Sequence, residues 1–216
     1  YAGQAAEKRA AAIIVEKEIT LPYNITIIKV ASTRYAMGKI SSAYYGEPSK
    51  KLKVIGITGT KGKTTITYMI QEMLNAAGHK TGLIGTIEIL DGKNRIPAPN
   101  TTPESLSLHK YLKDMVDNGL EYVVMEVSSQ GLMLDRIAGV FDYGIFTNLS
   151  KDHIGPNEHK TFEEYMMWKA KLCSLCKTGI FNLDDQYAGK MMENATCKKV
   201  TYGMNENADY IGGNYS

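Results

Sequence analysis

The sequence contains little cysteine and no long hydrophobic run. Three cysteines among 216 residues are too few to crosslink a chain of this length, which favours a reducing compartment and predicts a cytoplasmic protein. No apolar stretch approaches the ~18 residues needed to span a bilayer, and no charged segment followed by an apolar one marks a secretory leader. We therefore expect neither membrane insertion nor a disulfide scaffold.

An excess of one charge is also missing. The 25 Lys+Arg and 23 Asp+Glu residues give a net charge of +2, without the dense basic stripe that binds a phosphate backbone, so no nucleic-acid partner is expected. The length allows one large domain or one and a half ordinary ones, at roughly 100–200 residues per domain. Because the chain opens with Tyr1 and not Met, we expect either a processed chain or a piece of a longer protein.

The pattern of apolar residues divides the chain near residue 49. Residues 1–48 predict a small β-α unit whose second helix is capped by Ser32. Beyond it, strands that are apolar nearly throughout alternate with helices, which is typical of a parallel sheet covered on both faces. These strands are predicted at 52–58, 80–86, 121–128, 142–148 and 178–184. The expected fold class is therefore α/β, with a mostly parallel sheet preceded by part of a small α/β domain.

Two predicted helices carry apolar stripes with helical spacing. One spans 103–118, with Thr102 as its cap and Gly119 at its end. The other follows residue 62, and its stripe consists of Ile66, Met69, Ile70, Met73 and Leu74. We expect both stripes to be buried, and we expect 92–100 to be a proline-rich loop.

A glycine-rich turn, Gly59–Thr65, joins the strand at 52–58 to the second of these helices. Glycines let backbone N–H groups curl around an anion, and the helix start adds partial positive charge. Lys63 is expected to reach the β- and γ-phosphates of a triphosphate, and the Thr64 hydroxyl to bind Mg²⁺. The spacing departs from the common Walker A motif because Ile57 stands where its first glycine would fall. The order strand, glycine turn, Gly-Lys-Thr and amphipathic helix nevertheless predicts a nucleotide site.

The base of the nucleotide is indicated by two missing motifs. No Asn in the sequence is followed by Lys, so the Asn-Lys-x-Asp motif of guanine-specific sites is absent. The dinucleotide fingerprint G-x-G-x-x-G is absent as well. ATP is therefore the expected nucleotide.

Polar residues follow two of the predicted strands. Glu126 and Ser128 end one strand, and Asp152 and His153 follow the next, at the edge where open parallel sheets bind ligands. Glu126 is a candidate Mg²⁺ ligand, with a solvated strand-end carboxylate as the alternative. His153 is a candidate metal contact, with a hydrogen-bonded bystander as the alternative.

Lys169 falls on the apolar side of a helix predicted within 161–172. A buried lysine is costly unless it is paired, modified or deprotonated, and the alternative is a lysine whose head reaches water. Cys173 and Cys176 form a C-x-x-C that we place within a helix, which makes zinc or redox chemistry unexpected.

The order of VIGITGTKGKTT, NTTPESL, VMEVSSQGL, FTNLSKDH and YMMWKAKL resembles the Mur ligase family. The narrower motifs are similar to those of ligases that add a third peptide residue to the cell-wall precursor. The resemblance covers nearly the whole chain. It departs from many relatives at Gln130, where they have His, and in the longer segment after His153.

The resemblance implies roles for residues that match the family's motifs. The triphosphate would be bound by Gly59, Thr60, Lys61, Gly62, Lys63, Thr64 and Thr65. One Mg²⁺ would be held by Thr64 and Glu126 and a second by His153, with Lys169 carbamylated as a further metal ligand; the catalytic residues would be Lys63, His153 and Lys169. The UDP-muramoyl-dipeptide would be held by Thr101, Thr102, Ser128 and Arg136.

The resemblance also implies a reaction and a domain plan. The protein would be an ATP-dependent ligase that adds a diamino acid, diaminopimelate or lysine, to UDP-N-acetylmuramoyl-L-alanyl-D-glutamate, and would act as a monomer. Residues 1–48 would end a UDP-binding domain, 49–216 would form most of the central ATP-binding domain, and a C-terminal domain would lie outside this chain. The alternatives are a ligase like folylpolyglutamate synthase and a P-loop module without ligase activity.

Overall fold

Two sheets organise the part of the chain that the computed structural model describes, residues 1–22, 24–139, 141–152, 154–156, 158–204 and 206–213. The first sheet has two parallel strands. Its elements are α1 (Ala2–Glu7), β1 (Ala12–Val15), β2 (Thr26–Lys29) and α2 (Thr33–Tyr44). The Ser32 hydroxyl accepts a hydrogen bond from the Tyr35 N–H at 3.1 Å, so the predicted cap of α2 is confirmed.

The second sheet has nine strands and follows a short 3₁₀ turn, Pro48–Lys50. Its elements are β3 (Lys53–Thr58), α3 (Lys63–Ala76), β4 (Thr81–Ile84), β5 (Glu88–Leu90), β6 (Arg95–Pro97), α4 (Ser105–Asp117), β7 (Tyr122–Glu126), α5 (Ser129–Met133), β8 (Phe141–Phe146), α6 (Phe162–Ser174), β9 (Cys176–Asn182), α7 (Ala188–Glu193), β10 (Lys198–Gly203) and β11 (Tyr210–Ile211). The strand order is β11-β10-β9-β8-β3-β7-β4-β5-β6. Among the strand pairs of the described residues, only β4–β5 and β5–β6 are antiparallel, which confirms a mostly parallel sheet.

Helices cover both faces of this sheet, as the sequence predicts. Successive residues of a strand point to opposite faces. Val54 of β3 packs in a core cluster with α4 and α5 residues. Its neighbour Ile55 packs in another cluster, with the α3 residues Ile66, Ile70 and Leu74. α3 therefore lies on one face, and α4 and α5 lie on the other.

The buried stripe of α3 is narrower than the sequence indicates. Ile66, Ile70 and Leu74 contact the sheet, but Met69 and Met73 are 57% and 67% exposed. The contact with β3 and β7 uses one row of residues spaced by four, and the two methionines lie on an adjacent row. The prediction of burial was wrong for these two residues.

The start of α4 also differs from the prediction. The helix begins at Ser105, with Glu104 in the N-cap position, whereas Thr102 was the predicted cap. The Thr102 hydroxyl instead donates to the Glu126 carbonyl and accepts from the Ser128 N–H, both at 3.0 Å. Because the end of β7 uses this hydroxyl, it does not cap the helix.

Two further local predictions were wrong. The C-x-x-C is not within one helix, because α6 ends at Ser174 and Cys176 begins β9, paired with Phe141. The expected loop at 92–100 contains β6, which forms an antiparallel ribbon with β5. None of the helices in the described ranges combines the length and apolar character required to cross a bilayer.

Candidate functional site

Six of the predicted site residues line one crevice at the carboxyl ends of β3 and β7. Its volume is about 210 Å³, and its lining includes Lys63, Thr101, Thr102, Ser128, Arg136 and Lys169. A larger cavity, about 820 Å³, lies at the amino ends of β3, β7, β8 and β9 and is lined by none of the described site residues. Parallel sheets bind ligands at the carboxyl ends of their strands. The smaller crevice is therefore the candidate site.

The glycine-rich loop follows β3 directly and requires glycine at two positions. Gly62 is the N-cap of α3 and has φ +79°, a left-handed conformation that disfavours other residues. A Cβ on Gly59 would collide with the Thr147 hydroxyl and the Asn148 backbone. The loop thus makes a close turn into the 14-residue helix α3. The N-terminus of a helix carries partial positive charge and binds anions.

The segment after β8 stabilises this loop through hydrogen bonds. Asn148 accepts the Lys61 N–H on its Oδ1 and donates from its Nδ2 to the Lys61 carbonyl, both at 3.0 Å. The Thr60 N–H donates to the Asn148 carbonyl at 3.0 Å, and the Ser150 N–H donates to the Thr60 hydroxyl at 3.0 Å. Asn148 has no role predicted from the sequence; the available signal is its position as the last residue of the strand predicted at 142–148.

Lys63 folds back over its own loop. Its Nζ donates to the carbonyls of Gly59 and Thr60 at 2.9 and 3.2 Å. Burial lowers the pKa of Lys63, and the negative charges of Glu126 and Asp152 partly oppose that shift. The ammonium group therefore lies at the loop, where an anionic ligand would compensate its desolvation.

Glu126 is buried at the end of β7, with 1% exposure, which excludes the solvated alternative. Its Oε1 accepts from the Thr64 hydroxyl at 2.9 Å and from the Thr86 N–H at 2.8 Å. The adjacent hydroxyl and carboxylate oxygens are ligands that Mg²⁺ prefers. Within the described residues no group of three His, Cys, Asp or Glu side chains could hold a metal by itself. A metal here would therefore also need oxygens from the Thr64 hydroxyl and from a bound phosphate. Thr86 had no distinguishing signal in the sequence.

Lys169 is buried on α6, with 1% exposure, so its head does not reach water. Its Nζ donates to the Gly59 carbonyl at 2.7 Å and lies 4.7 Å from the centre of the Tyr165 ring. Burial holds the pKa of Lys169 well below its ordinary value; repulsion from Lys63 lowers it further, and Asp152 partly opposes this. The two lysines thus converge on one carbonyl group.

The four residues predicted to hold the dipeptide substrate are also brought together. The Thr102 and Ser128 hydroxyl oxygens are 3.2 Å apart. Arg136 donates to the Thr102 carbonyl at 3.0 Å, and the Thr101 hydroxyl is 3.0 Å from that of Thr86. This polar group adjoins Glu126 through the Thr102 bond to its carbonyl.

Some site residues were not placed or not found. His153, the predicted ligand of a second metal, lies outside the described residues. Tyr165 has no role predicted from the sequence, yet its hydroxyl donates to the Thr60 hydroxyl at 3.1 Å, and burial raises its pKa to about 12. His159 was not assigned a role either, although it lines the crevice.

The fold and the loop define an α/β protein of the P-loop type. The profile of the Mur ligase middle domain matches residues 57–216. The chain therefore belongs to the Mur ligase family, as its motifs predict.

Comparisons with individual proteins agree with the family. The chain is 48% identical over 213 residues to the UDP-N-acetylmuramoyl-L-alanyl-D-glutamate–2,6-diaminopimelate ligase of Clostridium botulinum, covering 97% of this chain and 44% of that protein. A solved structure of a ligase with the same name matches with a TM-score of 0.79 and 28% identity over 97% of this chain and 44% of that one. The chain thus spans less than half the length of these relatives.

A more distant likeness concerns the fold alone. The folylpolyglutamate synthase of Mycobacterium tuberculosis matches with a TM-score of 0.57 and 13% identity, over 78% of this chain and 47% of that structure.

Proposed function

We propose that these residues belong to an ATP-dependent ligase that joins a diamino acid to UDP-N-acetylmuramoyl-L-alanyl-D-glutamate in peptidoglycan precursor synthesis. The observation that carries the proposal is the shared crevice of Lys63, Lys169 and the Thr102–Ser128 pair. It places phosphate-binding chemistry beside a group of polar side chains that would hold a second substrate. The names of the two similar ligases, which include 2,6-diaminopimelate, favour diaminopimelate over lysine.

The chemistry follows from the residues in the crevice. A carboxylate of the dipeptide attacks the γ-phosphorus of ATP, which gives an acyl phosphate and ADP. The amine of the incoming amino acid then attacks the acyl carbon, which forms the amide and releases phosphate. The backbone of Gly59–Thr65 would hold the phosphates, and Lys63 would stabilise charge on the transferring group.

Thr64 and Glu126 would hold Mg²⁺, which supplies further charge neutralisation on the phosphates. Their oxygens lie 2.9 Å apart in the described structure, which supports a shared cation. We retain a second Mg²⁺ at His153 as part of the proposal.

Lys169 is proposed to carry a carbamate. A neutral amine attacks CO₂ to form the carbamate and releases a proton, and the lowered pKa of this lysine favours the neutral amine. The product is an anion beside the Lys63 ammonium, where a second ammonium would be repelled, and its oxygens are suitable metal ligands. Mass spectrometry under native conditions, with and without bicarbonate, tests for the mass of one added CO₂.

The proposal includes a domain plan and a setting. Residues 1–48 would end a UDP-binding domain, 49–216 would form most of the central ATP-binding domain, and the domain that binds the amino acid would lie outside this chain. The intact protein would be a cytoplasmic monomer without a nucleic-acid or membrane partner.

The test is phosphate release by the intact protein with ATP and Mg²⁺. We expect release only when both UDP-N-acetylmuramoyl-L-alanyl-D-glutamate and diaminopimelate are present, with a lower rate for lysine. Release with a folate and glutamate instead would favour a folylpolyglutamate synthase-like ligase. ATP binding without release under either condition would favour a P-loop module without ligase activity.

A further inference from the structure

His159 contacts both the start of α5 and Tyr165 beside the buried lysine, two parts of the crevice that are distant in sequence. It lies between β8 and α6 and is buried, with 2% exposure. Its Nε2 is 2.8 Å from the Ser129 hydroxyl, and its ring centre is 5.3 Å from that of Tyr165, at an interplanar angle of 48°. A buried imidazole with these two contacts has a defined position and orientation.

The Ser129 contact ties His159 to the start of α5. Ser129 is the first residue of this helix, and Ser128 caps it by accepting the Gly131 N–H at 3.0 Å. Ser128 is also 3.2 Å from Thr102 within the proposed substrate group. His159 therefore rests against the element that presents these polar groups.

The Tyr165 contact ties His159 to the lysine site. The Tyr165 hydroxyl donates to Thr60 in the glycine-rich loop, and its ring faces the Lys169 Nζ. The ring is thus held at its hydroxyl by the loop and on its side by the imidazole. A change at His159 therefore alters the support of the ring that Lys169 contacts.

We infer that His159 is a positioning residue, which holds Tyr165 and thereby Lys169 in register with the Ser128–Ser129 start of α5. This inference rests on the proposed ligase function. His159 acts through the side chains of Ser129 and Tyr165. Displacement of a reacting group by about 1 Å costs on the order of 100-fold in rate, so loss of this support is expected to reduce turnover.

The test uses the intact protein and compares His159→Ala, His159→Gln and Ser129→Ala. We expect His159→Ala to lower kcat about 10- to 100-fold. The KM for ATP and the Kd for ADP should stay within about threefold of wild type, because the loop keeps its hydrogen bonds to Asn148 and Ser150. Glutamine retains a polar group for Ser129, so His159→Gln is expected to recover part of kcat. Ser129→Ala should cause a smaller loss, and adding it to His159→Ala should cost little more.

His79→Ala is the matched control. This histidine is 44% exposed in its side chain and 3.2 Å from Glu121, away from the crevice, and its substitution is expected to leave kcat unchanged. Circular dichroism and the thermal midpoint report the folded fraction of each variant.

Four results distinguish a failure of this inference from a failure of the proposed function. If the wild-type protein releases no phosphate with its proposed substrates, the proposed function fails. If the wild type turns over and His159→Ala keeps kcat within twofold, the positioning role is wrong. A loss of kcat that matches the loss of folded protein, or an equal loss of ADP affinity, would also overturn it, because a general structural defect would then explain the result.

Discussion

The two ends of the same sheet treat buried charge differently. At the amino ends, the Asp142 carboxylate accepts from the Val54 N–H at 2.9 Å and from the Lys177 ammonium at 2.8 Å. At the carboxyl ends, Lys63 and Lys169 both donate to the Gly59 carbonyl, and burial lowers the pKa of each. The Asp142 carboxylate at the amino ends is neutralised by a lysine of the same fold. The two lysines at the carboxyl ends are desolvated instead, and an anionic ligand would compensate their charge. Buried ionisable groups with shifted pKa values are typical of functional sites.

Removal of the loop lysine is expected to have the largest effect. Lys63→Ala in the intact protein should lower kcat at least about 1,000-fold, because the amine stabilises charge on the transferring phosphoryl group. Phosphate release measures the effect. The control at the amino ends is Lys53→Ala. The Lys53 side chain is 60% exposed, and its ammonium lies 3.9 Å from the Asp142 carboxylate, so we expect this variant to remain active. Near-normal turnover in Lys63→Ala would contradict the role of the crevice.

Substitution of the buried lysine should separate stability from activity. Without bicarbonate, Lys169→Met is expected to stabilise the protein by about 1–3 kcal/mol, because an apolar side chain of similar length replaces a desolvated amine. Turnover should be lost, and short carboxylic acids should restore part of it in Lys169→Ala. Urea unfolding and phosphate release give the two measurements. A lower free energy of unfolding in Lys169→Met would show that the amine is well accommodated, contrary to the comparison.

At the amino ends of the strands, substitution of the buried charge should lower stability and leave turnover unchanged. Asp142→Ala leaves the buried Val54 N–H without its acceptor and is expected to cost about 1–3 kcal/mol of unfolding free energy. Asp142→Asn keeps an oxygen for this N–H and should cost less. Turnover per folded molecule is expected to stay unchanged in both, and a loss of kcat in folded protein would link this end of the sheet to the site.

A smaller effect is expected from a neutral buried histidine on α4. Burial lowers the pKa of His109 to about 4, and among the described residues neither ring nitrogen has a hydrogen-bond partner. Since this value is below the ordinary 6.5, protonation favours the unfolded chain, so stability is retained above about pH 6.5 and falls as the pH decreases toward 4. Thermal midpoints across this range should fall less in His109→Leu. If the thermal midpoint falls equally with pH in the wild type and in His109→Leu, other groups cause the acid sensitivity.

The sequence predicts the sheet better than the details of its helices. Continuous apolar runs locate β3 and β7 because these strands are buried on both faces. They also locate β8, although its Tyr143 is 40% exposed. The cap of α4 was wrong because Thr102 bonds to Ser128 and Glu126, groups distant in sequence. Met69 and Met73 were wrong because helical periodicity does not give the width of the contact.

The same distinction applies to the site. The motifs predict Lys63 and Glu126 as site residues because the proposed chemistry uses these residue types next to a strand end. The contacts of Asn148 with Lys61 and of Tyr165 with Thr60 span 87 and 105 residues. No local pattern encodes such pairs, since they depend on the order of strands in the sheet.

This strand order has a consequence for how the protein is made. β3 is the first strand of the large sheet to leave the ribosome, yet its neighbours are β7 and β8, which are synthesised much later. Contacts between distant segments form only after a costly loop closure. The glycine-rich loop therefore lacks its hydrogen bonds to Asn148 and Ser150 until that later segment has been synthesised. During synthesis the nascent chain is expected to acquire nucleotide affinity late and abruptly, when β8 is inserted beside β3.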